Sequence, residues 1–175
     1  DSTTALRGGV EKVYSVRVQE ALESVASSLS VSNAGIGGNT TRDARKRLQK
    51  DVLLYKPRVV VMQFGINDSA VDVWKKPPAK TPRVEEGEFV ANLRAMIQEA
   101  RGQKAKVILM TTNPLRWTPR LKEMYGYLPY RPEAVDGFET PFLVRYNEAV
   151  RELAKELKVP LVDVNAAYPG FAAAH

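Results

Sequence analysis

Three polar stretches carry the residue types that can do chemistry. The first is Gly65-Ile66-Asn67-Asp68, which follows the apolar run Arg58 to Phe64. Gly65 is enough to end a strand, and an ordinary turn needs only one of the two polar residues after it. A neutral carboxamide beside a carboxylate at a strand end therefore points to a site. The second is "NAGIGGNTT", with Gly35, Gly37, Gly38, Thr40 and Thr41. Its glycines do not complete G-x-G-x-x-G, and no Gly-Lys-Ser/Thr is present, so its pattern is not that of a dinucleotide or phosphate loop. The third is "DSTTALRGG" at the start. Ser2 stands just ahead of a helical pattern, where a hydroxyl on a tight turn suits a nucleophile, although a helix cap or a frayed terminus is the favoured reading from these residues alone.

Composition narrows the chemistry. The 175 residues contain no Cys, which excludes thiolate catalysis, disulfides and Cys-based zinc sites. The single His is His175, so a His-rich metal site is excluded, and no metal or organic cofactor is implied. The hydrophobic share of 44% and charged share of 26% are those of a globular protein. No apolar run approaches the ~20 residues of a membrane span. The net charge of +6 permits a polyanionic partner. Its densest stretch, "RDARKRLQK", reads as the solvated face of a helix with Ala44 and Leu48 inward. It has none of the interleaved aromatics of a single-strand binder, and no nucleic-acid partner is expected.

The elements that must position these residues alternate. Lys12 to Ser28 keeps a helical spacing through Tyr14, Val18, Leu22, Val25 and Leu29. "LSVSNAG" reads as a short strand. Thr40 or Thr41 can cap a helix from Arg42 to about Tyr55, with Asp43 in its first turn. After the strand at Arg58 to Phe64, Pro77, Pro78 and Pro82 make a loop of Ser69 to Val84. Glu85 to Arg101 is helical, "AKVILMTT" is a buried strand, Pro141 to Leu157 is helical and "VPLVDV" is the last strand. Strands apolar on both faces, alternating with helices, predict a doubly wound parallel sheet of the three-layer α/β/α, flavodoxin-like kind. Ligands of such sheets lie at the C-terminal ends of the strands, where the loops named above and "TTNPLRWTP" emerge.

Taken in order, "DS", "NAGIGGNT" and "GIND" resemble the SGNH hydrolase family, also called GDSL esterases and lipases. The resemblance spans most of the chain. It implies a serine hydrolase that cleaves carboxylic esters through an acyl-enzyme. In that pattern Ser2 is the nucleophile. The backbone N–H of Ser2, the N–H of Gly38 and the side-chain amide of Asn67 form the oxyanion hole, while Asp1 and Asp68 hold loops. The chemistry agrees: an amide donor fixed on a rigid strand end stabilises a tetrahedral oxyanion, whereas a carboxylate there would repel it.

The sequence departs from the family pattern at both ends. No Gly or strand precedes Asp1, and no Asp-x-x-His is present; Ala172 stands three residues before His175. The expectation is a single SGNH-like domain, 1–175, that lacks its first strand and its Asp-x-x-His segment, as a piece of a longer polypeptide. Trp117, with Tyr125, Tyr127 and Tyr130 nearby, is the candidate substrate wall; covering the sheet edge is the other reading of the same aromatics. The expected substrate is a small-acyl ester of a carbohydrate or similar polar alcohol, with a secreted or periplasmic location slightly favoured. The alternative is a non-catalytic domain that binds carbohydrate or an acidic polymer.

Overall fold

The structure is a computed structural model, which describes residues 3–6, 8–26 and 28–168. The chain divides into two compact units, Asp1–Asn39 and Thr40–His175. In the first, helix α1 spans Tyr14–Glu23. It stops short of Ser28 because Ser24 turns back, its Oγ donating to the Ala21 carbonyl at 2.7 Å. The expected apolar stripe is accordingly incomplete, with Val18 and Val25 exposed.

The strand expected in "LSVSNAG" does not form among the described residues. Side chains take the place of a ladder. Val31 N–H donates to Gln19 Oε1 at 2.6 Å. Asn33 Nδ2 donates to the Thr4 carbonyl at 2.6 Å and to Ser15 Oγ at 2.9 Å, and its Oδ1 accepts from Gly35 N–H at 2.8 Å. A backbone satisfied in this way has no call on a neighbouring strand.

The second unit is built on three parallel strands, β1 (Val59–Gln63), β2 (Lys106–Met110) and β3 (Leu161–Val162), in the order β1-β2-β3. Its helices are α2 (Thr41–Asp51), α3 (Glu86–Gly102), α4 (Pro119–Tyr125) and α5 (Leu143–Glu156). The register sets Val60 beside Val107 and Met62 beside Leu109, so these four side chains share one face. They are buried under Phe89, Leu93, Met96, Ile97 and Ala100 of α3 and Tyr146, Val150 and Leu153 of α5, with Ala44 and Leu48 of α2 in the same core. The order β1-β2-β3 advances in one direction along the sheet, and α3 and α5, which lie in its two crossovers, pack in that one core, as crossovers of a single hand require.

Local chemistry sets the boundaries. Thr40 and Asp43 form a reciprocal capping box at the start of α2. Helix α4 begins at the end of "TTNPLRWTP", in a stretch where no helix was expected. Its signal is "TP": Thr118 Oγ1 accepts from Leu121 N–H at 3.2 Å and Pro119 occupies the first turn. Ahead of the three strands the chain turns through Lys56, Lys104 and Lys158, with φ of 48°, 65° and 51°. Gly102, expected to end α3, is its last residue, and Lys104 makes the left-handed turn.

The core makes a direct prediction. Phe89 is fully buried and its ring lies 4.9 Å from that of Tyr146. Phe89→Ala should lower unfolding stability by about 3–5 kcal/mol in urea titrations.

Candidate active site

The turn after β1 is held from three directions. Gly65 has φ +136°, and a Cβ there would meet Thr112, Leu143 and Tyr146 at 3.5–3.8 Å. The backbone is what calls for glycine, since a side chain at this φ is strained although the contacts themselves are ordinary. The Gly65 carbonyl accepts from Ser69 N–H at 2.8 Å and closes a turn that carries Asn67. Asn67 is buried, with 9% of its surface exposed.

Asp68 is the brace. It is wholly buried, and its Oδ1 accepts from Thr41 N–H at 2.8 Å and from Thr41 Oγ1 at 2.6 Å. The Thr41 hydroxyl in turn accepts from Asn92 Nδ2 at 3.2 Å, and Asn92 Oδ1 accepts from Arg45 at 3.3 Å. A donor chain thus runs from a guanidinium on α2, through α3, to the carboxylate past β1. Burial raises the Asp68 carboxyl above its ordinary value, and the hydroxyl and amide of Thr41 oppose that rise. The backbone of Asp68 is also fixed, its carbonyl accepting from Val84 N–H at 3.1 Å.

The loop beyond Asp68 is pinned by a second core of Val71, Val73, Tyr125, Tyr130 and Phe138. Tyr130 stacks on Phe138 at 4.7 Å, and its hydroxyl accepts from Val71 N–H at 2.7 Å. Asp72 is nearly buried between Arg83, at 2.7 Å, and Lys75, at 2.8 Å, and Tyr125 donates to it at 3.2 Å. Burial alone would raise the Asp72 carboxyl; the two cations outweigh it and hold it at about 2. Sequence reasoning missed this cluster because Arg83 lies beyond three prolines, with no spacing to signal the contact.

At the ends of the other strands, Asn147 Oδ1 accepts from Thr112 N–H at 2.9 Å. Asp163 binds Thr111 Oγ1 at 2.8 Å and Arg151 at 2.8 Å, which holds its carboxyl at about 2.

The residues proposed from sequence are distributed as follows. Gly38 lies in the first unit, exposed, with φ +78° and an amide that makes no hydrogen bond among the described residues. Trp117 is half-buried against Phe138, ring centroids 5.8 Å apart, and its indole N–H donates to the Ala134 carbonyl at 2.8 Å. Tyr125 and Tyr130 are core, while Tyr127 is exposed. Asp1, Ser2 and His175 lie outside the described residues. The basic stretch is largely paired within the fold, Arg42 with Glu88 and Arg47 with Asp51. No group of His, Asp and Glu side chains able to hold a metal occurs among the described residues.

The sequence matches the model of the GDSL-like Lipase/Acylhydrolase family over residues 1–174, and the chain belongs to that family. It is 39% identical over 138 residues to the uncharacterized lipoprotein YqeF of Bacillus subtilis (strain 168), covering 78% of this chain and 55% of that protein. It is 31% identical over 147 residues to an acetylxylan esterase of Geobacillus stearothermophilus, covering 80% of this chain and 56% of that enzyme. The chain thus spans little more than half the length of these two relatives. The crystal structure of Axe2, an acetylxylan esterase from Geobacillus stearothermophilus, superposes with a TM-score of 0.69 at 28% identity, over 91% of this chain and 66% of that one. That of the acetyl xylan esterase AlAXEase gives 0.68 at 28% identity, over 96% and 76%. The fold class is the α/β kind expected from the sequence, an all-parallel sheet flanked by helices in the three-layer arrangement of this family.

Two separate ion-paired carboxylates set a pH dependence. Asp72 and Asp163 fall from 3.8 to about 2 on folding, so they contribute stability above pH ~4 that is lost as pH falls toward ~2. Asp68 is shifted upward and acts in the opposite sense, costing stability as pH rises through its range. Urea midpoints of the native protein should drop between pH ~4 and ~2, and Asp72→Asn should give a shallower drop from a lower starting value.

Proposed function

We propose that the protein is a serine hydrolase of carboxylic esters, working through an acyl-enzyme and preferring acetyl groups carried on a carbohydrate. The observation that supports this best is the braced turn after β1, which fixes Asn67 in a chain of the acylhydrolase family. In this reading the Ser2 Oγ attacks the acyl carbon, and the carbonyl π pair moves onto oxygen. The Gly38 N–H, the Asn67 carboxamide and the Ser2 N–H receive that charge. Collapse expels the alcohol and leaves an acyl-serine; water adds to it through a second tetrahedral species and releases the acid. The proton of Ser2 passes to a general base; the Asp-x-x-His pattern that supplies one in this family does not occur in these 175 residues.

Rigidity is the protein's contribution. Asn67 sits on a turn whose Gly65, Ile66 and Asp68 carbonyls accept hydrogen bonds and whose Asp68 Oδ1 is held by Thr41, so the donor does not reorganise as charge develops. A carbohydrate ester is favoured because two of the similar proteins are acetylxylan esterases. A place outside the cytoplasm fits the lipoprotein name of YqeF, and no helix among the described residues is long and apolar enough to cross a membrane.

In the full chain, p-nitrophenyl acetate should be hydrolysed faster than the butyrate. Ser2→Ala should abolish turnover, and full activity in that variant would overturn the reading. Asn67→Ala should lower kcat by about 10²–10³ with KM little changed.

A further inference from the structure

Trp74 breaks the usual bargain for a large aromatic. It is 44% exposed, yet it is not loose. Its indole N–H donates to the Tyr125 hydroxyl at 3.2 Å, and Lys75 Nζ lies 5.6 Å from the ring centroid. Tyr125 is itself locked to Asp72 and Arg83. A ring held in one orientation with its surface open to solvent is a prepared platform, because the entropy of ordering it is already spent.

The platform borders an open hollow of about 630 Å³, lined by Trp74, Pro119, Arg120, Glu123 and Met124. That volume lies within the ~300–1,000 Å³ of small-molecule clefts. Arg120 and Glu123 are three apart on α4 and therefore project to one side of it. Both are exposed, and neither makes a hydrogen bond or ion pair among the described residues. Indole and thioether surfaces beside a free guanidinium and a free carboxylate suit a ligand with apolar C–H faces and a rim of hydroxyls.

The hollow does not include Asn67, but it is rigidly connected to it. Asp68, Ser69, Ala70, Val71, Asp72 and Val73 are all buried. Their backbone is tied down by Val84 N–H to the Asp68 carbonyl, Arg83 N–H to Ala70 and Ala79 N–H to Asp72. A firm contact displaced from the reacting group is of no use to a small ester. It is of use to an extended substrate, whose distant parts position the bond that breaks.

We propose that Trp74, with Arg120 and Glu123, forms a sugar subsite for the oligosaccharide portion of the ester substrate. The proposal rests on the carbohydrate-esterase reading above, and it assigns the stacking surface to Trp74, leaving Trp117 as the half-buried neighbour of Phe138.

Two measurements on the full chain test it. Calorimetric titration with xylotetraose needs no turnover. The native protein should bind it, Trp74→Ala should weaken binding at least about tenfold, and Trp74→Phe should recover most of it. The ratio of kcat/KM on acetylated xylotetraose to that on p-nitrophenyl acetate should fall by a similar factor in Trp74→Ala, mainly through KM. Equal xylotetraose binding in native and Trp74→Ala proteins, no binding by the native protein, or an unchanged ratio would each overturn the subsite. Xylotetraose binding that depends on Trp74 in a protein inactive on both esters would refute the esterase reading and leave the subsite standing.

Discussion

One buried carboxylate oxygen joins the parts of the second unit that matter most. Asp68 Oδ1 receives both the amide and the hydroxyl of Thr41, which ties the exit of β1 to the first turn of α2. A carboxylate at a helix start meets unpaired N–H groups and the positive end of the helix dipole, so the contact offsets part of the cost of burial. Removing Thr41 would leave a charge without partners in the interior, and removing Asp68 would leave two donors without an acceptor. The alternating capping box of Thr40 and Asp43 beside it means that two carboxylates serve one helix start from two directions. The turn that presents Asn67 inherits this rigidity.

The second core extends the same logic along the loop. A run of irregular backbone is normally mobile. Here the amide of Val71 has a tyrosine hydroxyl, the carboxylate of Asp72 has two cations, and aromatic rings fill the space behind them. The exposed pairs on the helices, such as Arg42 with Glu88, are of a different kind and contribute little each. The pairs that count are those in which an already buried group would otherwise be left unsatisfied.

Periodicity made the helices and strands of the second unit legible. The apolar face of Glu85 to Arg101 is the buried face of α3, and the three Val-rich runs are the three strands. It was less informative in the first unit. "LSVSNAG" has strand composition, but strand formation needs a partner, and Gln19 and Asn33 supply side-chain bonds in its place. Helix α4 was hidden by surrounding Pro and Gly, although Thr118-Pro119 is a start signal. At the site, the family resemblance implied the role of Asp68 as a loop brace, but Thr41 as its partner was not read; the sequence offered Thr40 and Thr41 only as caps of α2. Long-range clusters such as Asp72 with Arg83 leave no spacing to read. Trp117 and Trp74 are equally aromatic in sequence, and only the fold distinguishes one packed on Phe138 from one facing solvent.

The lysines at 56, 104 and 158 give the sheet two unlike ends. At the entry to each strand a long cationic side chain occupies a backbone geometry that glycine would adopt more cheaply. Such residues place positive charge near the carboxyl ends of α3 and α5, where helix dipoles welcome it. The tension tolerated there is remote from the opposite rim, where Gly65 already has the residue its geometry demands. The entry side is consequently open to engineering for thermal tolerance, as by glycine at one of these three positions, while the exit side is not.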